Sequence, residues 1–313
     1  MSQKDTITKN YMKDVAHFAD FFNGYIYKGR EVIKPDSLSE VDTSSIAQIP
    51  YDNGKKQVTV QKYRDVLKNA ILKKSNNVYY LLLGIENQSD IHYAMPIRNM
   101  LYNALTYAQQ VEIVAKNNRK NKTCKSNDFL SGFTKDDKII PVITVTVYWG
   151  TEKWDAPTRL KEMLVEIDDE TERLINDFDC NVFSIIDAEE LPLYKTELNE
   201  LFRLLRVRND SNELLKLVAD NEEYKNIDRE TAVVMREFSS IKLPRKNKAG
   251  GYDMCKAVMD LKVEGEIIGI KKGESLGMKK LVSAISDARN GMSYENLIKK
   301  YDEETAKNAW IIK

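Results

Sequence analysis

Asn77-Val78-Tyr79-Tyr80-Leu81-Leu82-Leu83-Gly84-Ile85-Glu86-Asn87-Gln88 is the stretch on which the reading of the fold turns. Its β-branched, aromatic and aliphatic residues predict a buried central strand. Side chains alternate along a strand, so Glu86 and Gln88 leave the same face. A carboxylate and an amide at the end of an apolar strand are costly to bury without a partner. A hard divalent cation held by oxygen ligands is one such partner. Asp65, upstream on a neighbouring element, offers a second carboxylate.

Outward from that strand, the pattern alternates between strand and helix. Residues 8 to 24 read as an amphipathic helix, with Val15, Phe18, Phe21 and Phe22 at helical spacing and Gly24 as the stop. Residues 35 to 57 are rich in turn formers, and Gln57 to Gln61 alternates as a short strand. Val66, Leu67, Ala70 and Ile71 recur with a helix-like period, and a hairpin into the Tyr79–Ile85 strand is the alternative. Met95 to Gln110 predicts a helix, with Pro96 in its first turn. A polar, basic connection, Lys116 to Lys138, leads to a second strand, Ile139 to Tyr148. Pro157 to Leu174 predicts a helix, Val182 to Ile186 a third strand, and the chain is helical from Tyr194 almost to its end, apart from Pro244 to Gly251. This alternation implies a sheet flanked by helices.

The last fifty residues differ in character. Gly265, Gly269, Gly273 and Gly277 recur every four residues. In a helix they form one slowly drifting stripe, each costing about 1 kcal/mol relative to alanine. Such a stripe permits close approach of a second helix and self-association; a low-complexity connector is the competing reading. Gly291 then reads as a C-cap and Ser293 as the N-cap of a further helix, a helix-turn-helix-like arrangement. The expected division is a domain over 1–240, a linker over 241–260 and a helical tail over 261–313.

Composition limits the chemistry. The 313 residues carry 48 basic and 48 acidic side chains, with a sequence pI near 6.8. That balance gives no global attraction to nucleic acid or to anionic membrane, so any such partner must use a local basic surface. No apolar run reaches transmembrane length, and the polar start Met1-Ser2-Gln3-Lys4-Asp5 lacks a signal-peptide core. Cys124, Cys180 and Cys255 are few, odd in number and widely spaced, which fits reduced thiols in a cytoplasmic protein. There is no Cys-x-x-Cys pair, P-loop or dinucleotide fingerprint. Of the two histidines, His17 reads as a helical core-edge residue. His92, two residues past Asp90, is the better candidate for chemistry, against a surface-turn role.

Several segments taken together resemble one family. They are Tyr63-Arg64-Asp65-Val66-Leu67, then Leu83-Gly84-Ile85-Glu86-Asn87-Gln88-Ser89, then Ala94-Met95-Pro96-Ile97-Arg98-Asn99-Met100-Leu101-Tyr102, and Ile140 to Gly150 followed by Trp154. Their order and spacing resemble the recombination-promoting nucleases (the Rpn family, also labelled transposases) of the PD-(D/E)XK nuclease superfamily. The glycine-spaced tail is also a habit of that family. The resemblance implies an α/β, restriction-endonuclease-like mixed sheet flanked by helices, with a helical C-terminal tail. It implies a metal-dependent DNA endonuclease of low sequence specificity, linked to recombination, mobile elements or defence. The cofactor would be Mg²⁺, with Mn²⁺ able to substitute. The alternative is a catalytically weak or inactive DNA-binding or assembly protein on the same fold.

The resemblance also assigns roles. Asp65 and Glu86 would hold the metal through carboxylate oxygens, the Asn87 backbone carbonyl would be a further ligand, and Gln88 would orient the attacking water. Most of the superfamily has lysine at the last position. An amide is uncharged and exchanges no proton near neutral pH, which argues for slower or differently activated cleavage. The first aspartate of the fold normally begins or precedes a strand. If residues 66–71 were helical, Asp65 would be a capping residue and Asp42 a rival ligand. Arg98 is a candidate phosphate clamp. Lys116, Arg119, Lys120, Lys122 and Lys125 form a basic run that offers weaker DNA contacts, as do Lys242, Arg245, Lys246 and Lys248. The expected partners are DNA and a second copy of the chain, with no membrane.

Overall fold

A computed structural model describes residues 3–41, 44–51, 56–63, 65–74, 77–123, 131–219 and 221–313. In chain order the elements are α1 (Gln3–Lys13), α2 (Val15–Tyr27), β1 (Leu38–Glu40), β2 (Ser44–Tyr51), β3 (Lys56–Tyr63), β4 (Val66–Lys74), β5 (Asn77–Gln88), α3 (Met95–Asn121), β6 (Val142–Tyr148), α4 (Asp169–Glu172), β7 (Asn181–Ser184), α5 (Leu198–Val207), α6 (Ser211–Ala219), α7 (Arg229–Phe238), α8 (Met254–Arg289), α9 (Tyr294–Lys300) and α10 (Glu303–Ile312). They fall into two compact units, Met1–Met254 and Cys255–Lys313.

The first unit is built on a five-stranded mixed sheet in the order β1-β4-β5-β6-β7. The quoted stretch, β5, is its central strand. β4 joins it antiparallel in register Val66↔Ile85, and β6 joins it parallel in register Glu86↔Thr146. Parallel strands need a long crossover, and α3 supplies it. β2 and β3 form a separate antiparallel hairpin. The ambiguity over residues 66–71 resolves as strand: they pair with β5 along its whole length. The apparent helical period arises because the buried face, Val66, Lys68, Ala70 and Leu72, includes a lysine, while Leu67 and the exposed Ile71 put apolar side chains on the other face.

α3 covers one face. Its Asn99 Nδ2 donates to Thr146 Oγ1 (2.9 Å), Thr144 Oγ1 donates to Asn103 Oδ1 (2.7 Å), and Tyr107 OH accepts from the Val142 N–H (3.0 Å). The other face carries the aromatic core. Phe18, Phe21 and Phe22 of α2 are fully buried, each worth about 2 kcal/mol of apolar burial. Phe21 meets Phe183 of β7 edge-on at 5.5 Å, and Phe183 packs on Phe202 of α5 at the same separation.

Two local expectations need correction. The helix read over 8–24 is two helices, broken at Asp14, whose carboxylate accepts from the Ala16 and His17 N–H groups as the N-cap of α2. Gly24 does not stop α2. The helix continues to Tyr27 and ends at Lys28 and Gly29, both at positive φ. Gly24 is needed for packing, since a Cβ there would overlap the Tyr194 ring. The helix predicted over Pro157–Leu174 is also absent: only a 3-10 turn, Lys161–Met163, and the single turn α4 form. Carboxylates take the backbone donors instead. Glu162 accepts from the Thr158 N–H, Asp177 from Lys161 and Asp168 from Thr171. Val165 and Leu174 are more than four-fifths exposed, so no apolar face holds a helix there.

The second unit is helical. Ala284 and Ala288 of α8 pack with Leu297 of α9 and Ala306 and Ala309 of α10. The turn at Gly291 (φ 92°) and the Ser293 N-cap fall where the sequence places them. The glycine stripe is helical and exposed, and a Cβ on any of its four glycines would meet no atom within 4 Å outside the helix's own backbone. Among the described residues, no helix is long and apolar enough to cross a membrane.

Candidate active site

Pairing of β4 with β5 brings the two acidic segments together. The register puts Val66 opposite Ile85, so one step further Asp65 faces Glu86. Asp65 Oδ2 accepts from the Asn87 N–H at 2.9 Å. Asp65 is thus a residue that precedes a strand and is tied to the end of the central one. Burial raises its pKa above the ordinary aspartate value. The Asn87 N–H and the charges of Lys9 and Arg98 work against that rise.

Glu86 has no exposed surface. It leaves the sheet on the α3 face, beside its register partner Thr146. Arg98, in the first turn of α3, places Nη2 3.3 Å from Glu86 Oε2. Its Nε donates to Tyr102 OH at 3.0 Å, one helical turn on. Burial pulls the Arg98 pKa down, but Glu86, Tyr102 and Asp65 outweigh it and leave the guanidinium above its ordinary value. Tyr102 is raised by burial and by the Glu86 charge. Glu86 therefore sits in a polar layer between sheet and helix, with Asn99, Thr146 and Cys180 adjoining: Asn99 Nδ2 reaches Cys180 Sγ at 3.0 Å.

Asn87 points to the opposite face, where Trp149 Nε1 donates to its Oδ1 at 3.0 Å. The Trp149 N–H donates to the Gln88 carbonyl at 2.9 Å. Arg208 in turn bonds the Trp149 and Gly150 carbonyls. These contacts fix the end of β5 from behind. Gln88 is partly exposed and shares the face of Glu86.

The oxygen-bearing groups at this end of the sheet are the Asp65 and Glu86 carboxylates, the Asn87 carbonyl and the Gln88 amide. That set suits a hard divalent cation of the Mg²⁺ type, which is bound through one or two carboxylates and keeps several waters. Among the described residues no group of three or more His, Cys, Asp or Glu side chains could hold a metal, so any ion here would rest on two carboxylates. Arg98 now neutralises one of them.

Sequence reasoning missed Lys9 on α1, whose Nζ lies 4.0 Å from Asp65 Oδ1, and Tyr102 and Trp149, which brace the site. Only the helical spacing of Arg98 and Tyr102 signals the first brace. The basic run is not brought to the site. Lys116, Arg119 and Lys120 lie near the far end of α3, with Lys122 as its C-cap. At 1.5 Å per residue, Lys116 is about 27 Å along the axis from Arg98. Lys116 also pairs with Glu112 at 2.8 Å. Lys125 and the rival ligand Asp42 lie outside the described residues. His92 caps α3: its Nδ1 accepts from the Ala94 N–H and its carbonyl from the Met95 N–H.

The sequence profile of the family described as "Putative transposase, YhgA-like" matches residues 2–218, well over half of the chain. No curated protein and no solved structure matches it significantly.

Proposed function

Because the chain belongs to the YhgA-like transposase family, whose members are of the Rpn, PD-(D/E)XK type, we propose that it is a metal-dependent DNA endonuclease of low sequence specificity. The observation that supports this reading is the hydrogen bond from the Asn87 N–H to Asp65, which ties the residue before β4 to the one directly after Glu86.

Asp65, Glu86 and the Asn87 carbonyl would hold one Mg²⁺, or Mn²⁺ in its place. Such an ion lowers the pKa of bound water and offsets charge on the phosphate. The protein's own groups have separate tasks. Gln88 presents a neutral amide that can accept from and donate to an attacking water, fixing its line of approach. Arg98 is within reach of both carboxylates' field and, once released from Glu86, can receive a non-bridging phosphate oxygen. Gln88 removes no proton, so the rate is expected to fall below that of a site with a lysine there.

The reading extends to a cytoplasmic setting and to roles in recombination, mobile elements or defence. It also extends to a homodimer through α8, whose glycine stripe is exposed alongside Ile267, Ile270 and Leu276. Light scattering of the full chain tests the dimer, and a monomer at micromolar concentration removes it.

Purified protein is expected to nick or cut plasmid DNA with Mg²⁺ or Mn²⁺ and not with EDTA. Glu86→Ala and Asp65→Ala should each lower cutting at least a hundredfold with the circular dichroism spectrum retained. Full activity in either variant overturns the site. DNA binding without cutting selects the second reading, an inactive binding or assembly protein, which the neutral Gln88 favours.

A further inference from the structure

We propose that α1 supplies the cationic group that the Glu-x-Gln segment lacks, with Lys9 and Lys13 receiving consecutive phosphates of a DNA strand beside Asp65. This rests on the reading of DNA as the substrate.

Three observations place α1 at the site. Ser89, directly after Gln88, donates its Oγ to Asp5 Oδ1 at 3.3 Å and joins the start of α1 to the end of the central strand. Lys9, one turn on, lies 4.0 Å from Asp65. Lys13, one turn further, lines with Lys9 and Asp65 a cavity of about 210 Å³ that opens to solvent. Residues spaced by four share a helix face, so Asp5, Lys9 and Lys13 form a line along the rim of the site, each step about 6 Å.

The charges explain why this line suits a polyanion. Two lysines at i and i+4 repel each other by a few tenths of a kcal/mol on an isolated helix. Glu40, also on the cavity wall, has its own partner in the buried Lys68 at 3.4 Å. Lys9 and Asp65 are only partly exposed, with side chains 20% and 14% accessible, so the pair sits in a medium where charge is less screened than in bulk water. A phosphate entering over Asp65 meets a carboxylate that repels it. Lys9 offsets that repulsion at the reacting position, and Lys13 extends the favourable field along the strand. Each amine is a compact charge with rotatable donors, suited to backbone phosphate and indifferent to sequence.

The test is DNA binding by the full chain with Ca²⁺ in place of Mg²⁺, followed by fluorescence anisotropy of a labelled duplex across a salt series. The plot of log affinity against log salt should flatten by about 0.9 for each phosphate contact removed. Lys9→Gln and Lys13→Gln are each expected to weaken binding several-fold and to lower the slope by about that amount, additively in the double variant. Lys9→Arg should retain the wild-type slope. Unchanged slopes in Lys9→Gln and Lys13→Gln overturn the inference while wild-type binding stands. So does a larger change for Lys116→Gln with Lys120→Gln, at the far end of α3. Absence of binding by the wild type removes the underlying reading instead. If Lys9→Gln does not fold, the exposed Lys13 carries the test alone.

Discussion

Arg98 Nη2 stands 3.3 Å from Glu86 Oε2, and the carboxylate it meets has no solvent-exposed surface. A buried acid of this kind is tolerable because a cation and a polar layer face it. Removing one member of a buried pair typically costs about 3–5 kcal/mol, while replacing both can be nearly neutral.

Arg98→Met is therefore expected to lower stability by about 3 kcal/mol, the lower end of that range, because the guanidinium is partly solvated. Adding Glu86→Gln should recover most of the loss, giving a coupling energy above about 1 kcal/mol in a double-mutant cycle. Urea unfolding of the four proteins measures it. Additive losses would mean that Glu86 is stabilised chiefly by groups other than Arg98.

Asp65 makes the opposite prediction for stability. Burial raises its folded-state pKa above the unfolded value, so the folded chain holds this proton more tightly. Its contribution favours folding at low pH and is lost as pH rises through and above the ordinary aspartate range. Asp65→Asn keeps an oxygen for the Asn87 N–H and removes the buried charge. Its Tm is expected to exceed the wild type at pH 7, with the gap narrowing towards pH 4, while cutting is abolished. A lower Tm at pH 7 would show that the attractions of Lys9 and the Asn87 N–H outweigh burial. The gain would mark the carboxylate as kept for function against stability.

The sequence carried more of the sheet than of the site's surroundings. β5 is legible because its length and apolar run admit no other element, and α3 because Met95, Asn99, Tyr102 and Thr106 recur on one buried face. β4 is ambiguous for a physical reason: a lysine, Lys68, sits on its buried face and apolar Leu67 and Ile71 sit on the other, which hides the alternation that identifies a strand. Residues 157–174 misled because their carboxylates, which suit a helix in isolation, satisfy nearby backbone donors. That Asp65 lies beside the end of β5 is legible through the order of motifs. Lys9 and Trp149 are not, because their proximity depends on how α1 and the end of β6 settle against the sheet. Nothing local in either segment records that.

The same argument about burial applies at Glu197. Its carboxylate stands before α5 and accepts the Asp228 N–H with both oxygens, at 3.0 and 3.2 Å. Asp228 is itself the N-cap of α7, accepting from Thr231. Burial pushes Glu197 up to about 7, opposed by hydrogen bonds from Thr231 and Asp228 and assisted by the Asp228 charge. A folded-state pKa raised above the unfolded value stabilises the fold below about pH 4.5, and that contribution is lost as pH climbs to 7. One pKa unit corresponds to about 1.4 kcal/mol. Glu197 is partly solvated, so screening reduces the full effect to about 1 kcal/mol. Glu197→Gln preserves an oxygen for Asp228 and cannot ionise. Its unfolding free energy should match the wild type near pH 4.5 and exceed it by about 1 kcal/mol at pH 8. Urea titrations at half-unit pH steps measure the difference, and parallel curves for the two proteins from pH 4.5 to 8 would show that Glu197 ionises normally in the fold.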